Sequence, residues 1–146
     1  MSKPQHWVSV ERIVNAAADD IYAVWTVPEI MVEWMGESIG ADVRVGGGYR
    51  IENEVDGIIH YHEGEYLALE PGRRIVQTFR AGPLEGLPGP LPFTDEFIEL
   101  TLRPLGPAQT LVRLFNGWNG EDMPDEAKQA VKDGWAGWLD QMATLF

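Results

Sequence analysis

The chain has 146 residues, 45% hydrophobic and 23% charged, with 11 Lys and Arg against 23 Asp and Glu and a formal net charge of −12. A chain of this length builds one core and hides roughly two-thirds of the surface its unfolded form exposes, and its charge repels phosphate backbones and anionic lipid, arguing against nucleic acid as a partner. The absence of cysteine excludes disulfides, thiolate metal sites and thiol catalysis.

One domain over 1–146 is expected. Met1 to Val10 has no apolar run of signal-peptide length, and nowhere do the roughly 20 apolar residues needed to span a bilayer run together. We therefore expect a cytoplasmic protein without a membrane span. Trp7 to Val14, rich in Val and Ile, reads as the first strand. Asp19 and Asp20 suit a helix N-terminus, with Ile21, Val24 and Trp25 on one face. Pro28 can open a second short helix in which Ile30 and Trp34 lie one turn apart.

From Ala41 the period changes to two, with Tyr49, Ile51, Asn53 and Val55 on one side of a strand and Arg50, Glu52 and Glu54 on the other. Asp56-Gly57 predicts a hairpin turn into Ile58 to Leu69, and Pro71-Gly72 turns the chain into Arg74 to Arg80. Ala81 to Pro92 is a loop rich in Pro and Gly that carries Leu84, Leu87 and Leu91 and one charge, Glu85. Its leucines either cap the core or form a lid hinged on Gly82, Gly86 and Gly89. Phe93 to Arg103 and Thr110 to Asn116 form a last strand pair. Asp122 is the expected cap of a long final helix, Pro124 fits its first turn, and Ala127, Val131, Trp135, Trp138, Met142 and Leu145 make its apolar stripe. The order of elements predicts a segregated α+β fold, a curved antiparallel sheet around one long helix, with a cavity between them.

Six tryptophans in so short a chain either pack a core or, as a group, line a pocket. His60 and His62 share one side of a strand, but the remaining ligands of a metal site are lacking and none is expected. Gly46-Gly47-Gly48 is followed by no P-loop Lys or Ser/Thr, so these glycines bend a strand, a bend that an Asp42–Arg44 pair can fix. No serine sits in a nucleophile elbow. Glu33, Glu37, Glu52, Asp95 and Glu99 could act as a general base if buried, which spacing does not show.

Several stretches carry a resemblance. They are Val10-Glu11-Arg12-Ile13, Ala23 to Glu29, Trp34-Met35-Gly36, Asp42 to Gly47, His62 to Tyr66, Glu70 to Ile75, and Gly134-Trp135 with Leu139. In order and spacing the chain resembles the START-like SRPBCC superfamily, and within it the homologues of the C-terminal domain of the heat-shock-protein-90 ATPase activator. It departs at Met35 and Glu37, where that family often has a second Trp and a Pro. The resemblance implies the helix-grip fold, also called birch-pollen-allergen-like, and a cavity for hydrophobic compounds below the long helix. Family position and strand alternation together place Trp25, Trp34, Tyr49, Ile51, Phe79, Asn116, Trp118, Trp135 and Trp138 near it. A bulge in the histidine strand would reverse the facing of His60 and His62.

The leading expectation is a carrier or sensor of a small apolar molecule, without a cofactor and without assigned catalysis. An enzyme of polyketide cyclase/dehydrase or hydrolytic type would instead need a buried carboxylate or His facing the cavity. An interaction module would touch a chaperone or itself, as a homodimer, through an exposed apolar patch.

Overall fold

The structure, a computed structural model, describes residues 3–82 and 93–146. The leucines and the glycines at 86 and 89 of the expected lid lie outside the described residues. Helix α3 spans Asp125–Ala143 and buries Trp135, Leu139 and Met142 against the sheet, with Val131 and Trp138 half-buried beside them. The stripe read at three- and four-residue spacing therefore faces inward, and Leu139 belongs to it as well. The expected cap is not Asp122. Pro124 holds the N-cap position in an extended conformation, while the Asp122 carboxylate accepts hydrogen bonds from the Met123 N–H at 2.9 Å and from Lys128 Nζ at 3.0 Å. The carboxylate meets its own neighbour's N–H before it can reach into the helix.

Among the described residues, eight strands form one antiparallel sheet: β1 (His6–Val14), β2 (Ser38–Ala41), β3 (Gly48–Val55), β4 (Ile58–Glu70), β5 (Arg74–Thr78), β6 (Arg80–Gly82), β7 (Phe93–Gly106) and β8 (Gln109–Gly120). Their spatial order is β1-β8-β7-β5-β4-β3-β2, with β6 paired to β4. The sheet curves around α3, giving the helix-grip architecture. Its inner face is built by period-two alternation: Val112 and Leu114 on β8, Ile98, Leu100 and Leu102 on β7, Ile75 on β5, Tyr66 on β4, and Tyr49 and Ile51 on β3 are all buried. Helices α1 (Ala18–Thr26) and α2 (Pro28–Met31) close one side, with Ile21, Val24, Trp25 and Met31 turned inward. No helix among the described residues is long and apolar enough to cross a membrane.

The Asp56-Gly57 hairpin is present, both residues having positive φ (52° and 80°), which matches the right-handed twist of the strands it joins. Two expected strands are divided differently. The segment Arg74 to Arg80 breaks at Phe79, because β5 pairs with β4 and β7 whereas β6 leaves that path to pair with Tyr61–Glu63 of β4. The strand expected from Ala41 begins only at Gly48, as β3; the unexpected β2 ends at Ala41, and the glycines belong to the turn between the two rather than to a bend within one strand. There Arg44 Nε donates to Asp42 Oδ2 at 2.7 Å, and a Cβ on Gly47 would lie 2.0 Å from the Asp42 carbonyl oxygen. Gly47→Ala is accordingly expected to cost about 1–3 kcal/mol, the usual penalty of forced overpacking. Urea unfolding would measure it, and an unchanged midpoint would refute the steric reading.

Candidate functional site

A cavity of about 580 Å3 opens between α3 and the sheet. Its walls are mainly apolar: Phe79 from the β5–β6 junction, Phe93 from β7, Met123 before α3, and Val131, Trp135 and Trp138 from α3. The aromatic rings brace one another. Trp135 meets Trp138 and Phe79 edge-on at 5.5 and 5.1 Å, and Trp138 meets Trp34 edge-on at 5.6 Å. Such contacts fix ring positions beyond what area burial achieves. Gly134 also lines the cavity, and a Cβ added there meets open space.

Two of the polar groups, Asn116 and Glu96, belong to one hydrogen-bonded chain. Trp135 Nε1 donates to Asn116 Oδ1 at 3.1 Å, and Asn116 Nδ2 donates to the Phe97 carbonyl at 3.1 Å and to Glu96 Oε2 at 3.2 Å. An indole nitrogen only donates, so the orientation of the Asn116 amide is settled by its partners. Glu96 faces the cavity beside a bulge. The β7–β8 ladder passes from Thr94↔Asn119 to Phe97↔Gly117, which leaves both Asp95 and Glu96 opposite Trp118, with Asp95 at φ 53°. A bulge of this kind redirects side chains and recurs beside functional sites.

Burial pushes the Glu96 carboxyl above the usual carboxylate range, and the Asn116 hydrogen bond offsets part of that rise. A carboxyl with a raised folded pKa favours the fold least at high pH. The penalty is absent below its unfolded value, 4.5, and grows as pH climbs through the folded one. Glu96→Gln should therefore raise the melting temperature at pH 7 and leave it unchanged below about pH 4. Thermal scans across that range decide it, and a pH-independent shift would show that Glu96 is not desolvated.

His62 faces the same cavity from β4, against Phe79 at 5.0 Å and Trp138 at 5.4 Å. Its pKa is lowered by burial, and its Nδ1 is buried without a hydrogen-bond partner among the described residues. The bulge in β4 falls between Tyr66 and Ala68, beyond the histidines, so their facing is not reversed. His62, opposite Ile51, points inward, and His60, opposite Asn53 near the hairpin tip, is exposed. No group of three metal-ligating side chains occurs among the described residues.

Of the residues singled out from sequence, Phe79, Asn116, Trp135 and Trp138 line the cavity. Trp25, Tyr49 and Ile51 sit deeper, around a crevice of about 10 Å3 that shares His62, Phe79, Trp135 and Trp138 with it. The Tyr49 hydroxyl there donates to the Thr78 carbonyl at 2.7 Å, and burial raises its pKa. Trp34 is a buttress: its Nε1 donates to the Val24 carbonyl at 2.8 Å and its ring supports Trp25 and Trp138. Trp118 lies behind Phe93, fully buried, with Nε1 donating to the Glu121 carbonyl at 3.0 Å. Among the carboxylates considered as bases, Asp95 lines the cavity, whereas Glu52 and Glu99 are ion-paired to Arg50 and Arg74. Glu96, like Phe93 and Met123, lines the cavity without having been singled out from sequence.

A sequence model of the family described as Activator of Hsp90 ATPase homolog 1-like protein matches residues 15–146. No functionally curated protein matches the chain significantly. Among solved structures, a protein from Chromobacterium violaceum is 25% identical with a TM-score of 0.73, over 95% of this chain and 96% of that one. The Aha1 dimer from Colwellia psychrerythraea is 17% identical with a TM-score of 0.73, over 95% and 94%. DynU16, a protein of the dynemicin biosynthetic locus, is 22% identical with a TM-score of 0.74, over 97% of this chain but 47% of that one. The last two likenesses concern the fold alone.

Proposed function

The chain belongs to the family of Activator of Hsp90 ATPase homolog 1-like proteins, and on that premise we propose that it holds a small, largely apolar ligand in the cavity between the sheet and α3. The observation that carries this reading is the cavity of about 580 Å3 walled by braced aromatics, into which Asn116, Glu96 and His62 converge. Small-molecule sites have this composition: mostly apolar walls with a few placed polar groups.

Gly134 supplies the test. Gly134 lines the cavity and a Cβ there meets nothing within 4 Å, so a leucine narrows the cavity without a clash at its Cβ and relieves the roughly 1 kcal/mol helix penalty of glycine. Gly134→Leu should thus fold at least as stably as the parent chain and bind less. A ligand found by native mass spectrometry and added at a hundredfold excess over Kd should stabilise the parent by about 2.7 kcal/mol and the variant far less. Equal stabilisation of both proteins would place the ligand elsewhere.

A second reading, acid–base catalysis in the same cavity, is favoured by one specific observation. Burial raises the Glu96 carboxyl and lowers the His62 imidazole, moving each toward its uncharged form and giving a candidate acid and a candidate base on one cavity. If this reading holds, Glu96→Gln and His62→Gln each abolish turnover of a bound compound while binding persists. The Colwellia relative is a dimer, and sedimentation equilibrium decides whether this chain self-associates.

A further inference from the structure

Resting on the cavity as a ligand site, we propose that it selects apolar amines, the ligand's ammonium facing Glu96 and its hydrocarbon body lying among Phe79, Trp135 and Trp138, and that it rejects carboxylic acids of the same shape. The Glu96 carboxylate receives one hydrogen bond, from Asn116, and no ion pair among the described residues. It is a cavity-lining acceptor with capacity left over. The exposed carboxylate of Asp95 adds a second negative charge at the wall.

Among the described residues, no cation other than Arg80 lines the cavity. In the β4–β6 ladder, however, Arg80 pairs with Glu63, whereas Ala81 pairs with the inward-facing His62. Its guanidinium accordingly sits toward Glu63 Oε1, at 3.6 Å, on the outer side, where Arg50 also binds Glu63. His62 is uncharged at neutral pH, since burial lowers its pKa. Residues 83–92 contain no Lys, Arg or His. A ligand carboxylate would thus lie beside Glu96 with no inward counter-charge, whereas an ammonium would meet the carboxylate. The rise in the Glu96 pKa caused by its burial is a cost that a bound cation would offset.

Isothermal calorimetry on the full chain at neutral pH, with 1-naphthylmethylamine, 1-naphthalenemethanol and 1-naphthoic acid as probes of one skeleton, tests the proposal. We expect the amine to bind at least about tenfold more tightly than the acid and several-fold more tightly than the alcohol. Glu96→Gln should erase the advantage of the amine over the alcohol, since no charge then stands opposite the ammonium. An acid that binds as tightly as the amine, or an amine advantage that survives Glu96→Gln, overturns the selection while the cavity stands as a site. Failure of all the probes to bind overturns the cavity reading itself and the selection with it.

Discussion

Replacing Trp25 by alanine is expected to cost about 3–5 kcal/mol, the range for removing a large aromatic from a packed core. In a chain of this length that lowers the melting temperature by about 10 °C or more. Trp25 is 2% exposed, meets Trp34 edge-on at 5.0 Å and Trp138 at 6.3 Å, and donates its Nε1 to Met142 Sδ at 3.0 Å. It therefore ties α1 to the C-terminal turns of α3 at the point where the cavity's aromatic wall is anchored. Trp25→Phe should recover most of the loss, because it restores a ring and gives up only part of the area and the N–H contact to sulfur. Denaturant midpoints of the two variants measure this. Ligand affinity, read under native conditions, should also fall in Trp25→Ala, because Trp138 loses a ring that supports it. A change under 1 kcal/mol would mean that the tryptophans pack independently and that the bracing of the wall is not coupled.

The same tryptophans show how far the sequence alone carries. Helical spacing of Val131, Trp135, Trp138 and Met142 and the two-residue period of β3 set the helix against the sheet, because burial of one face imposes those periods directly. β2 escaped notice because Ser-Ile-Gly-Ala is too short to display a period, and its pairing with β3 depends on the glycine turn between them. The break at Phe79 is likewise a product of pairing, not of local preference. At the site, aromatic content pointed to the walls, but which indole faces the void depends on hydrogen bonds between distant residues, such as Trp25 to Met142 Sδ.

Glu96 was nonetheless open to inference. It falls two, four and six residues before Ile98, Leu100 and Leu102 and so shares their inward face, a lone carboxylate on an apolar row. Charge alone could not separate it from Glu99, which faces the other way and pairs with Arg74. That row also explains why Glu96 and Asn116 meet: Asn116 pairs with Ile98, the next residue of the row, and its amide reaches the Glu96 carboxylate.

Asn116 is where fold and site depend on one residue, and Asn116→Leu is expected to lower stability by about 3 kcal/mol or more at neutral pH. Leucine matches asparagine in branching and heavy-atom count but strips the partner from Trp135 Nε1 and from the Phe97 carbonyl, and Asn116 is 1% exposed, so water cannot readily replace it. Each unpaired buried group costs about 1–3 kcal/mol. The Glu96 carboxylate also loses its donor, the one influence holding its pKa down, so that pKa rises further above the unfolded value of 4.5. Because a raised carboxyl pKa withdraws stability as pH increases, the deficit of the variant should be smallest in acid and widen toward pH 8. In Asn116→Leu combined with Glu96→Gln, the pH-dependent part should disappear and the part due to Trp135 and Phe97 should remain. Urea unfolding of the two variants and the parent at intervals from about pH 4 to pH 8 separates the two contributions. A deficit that stays constant with pH would mean that Asn116 positions Trp135 alone and that Glu96 draws nothing from it.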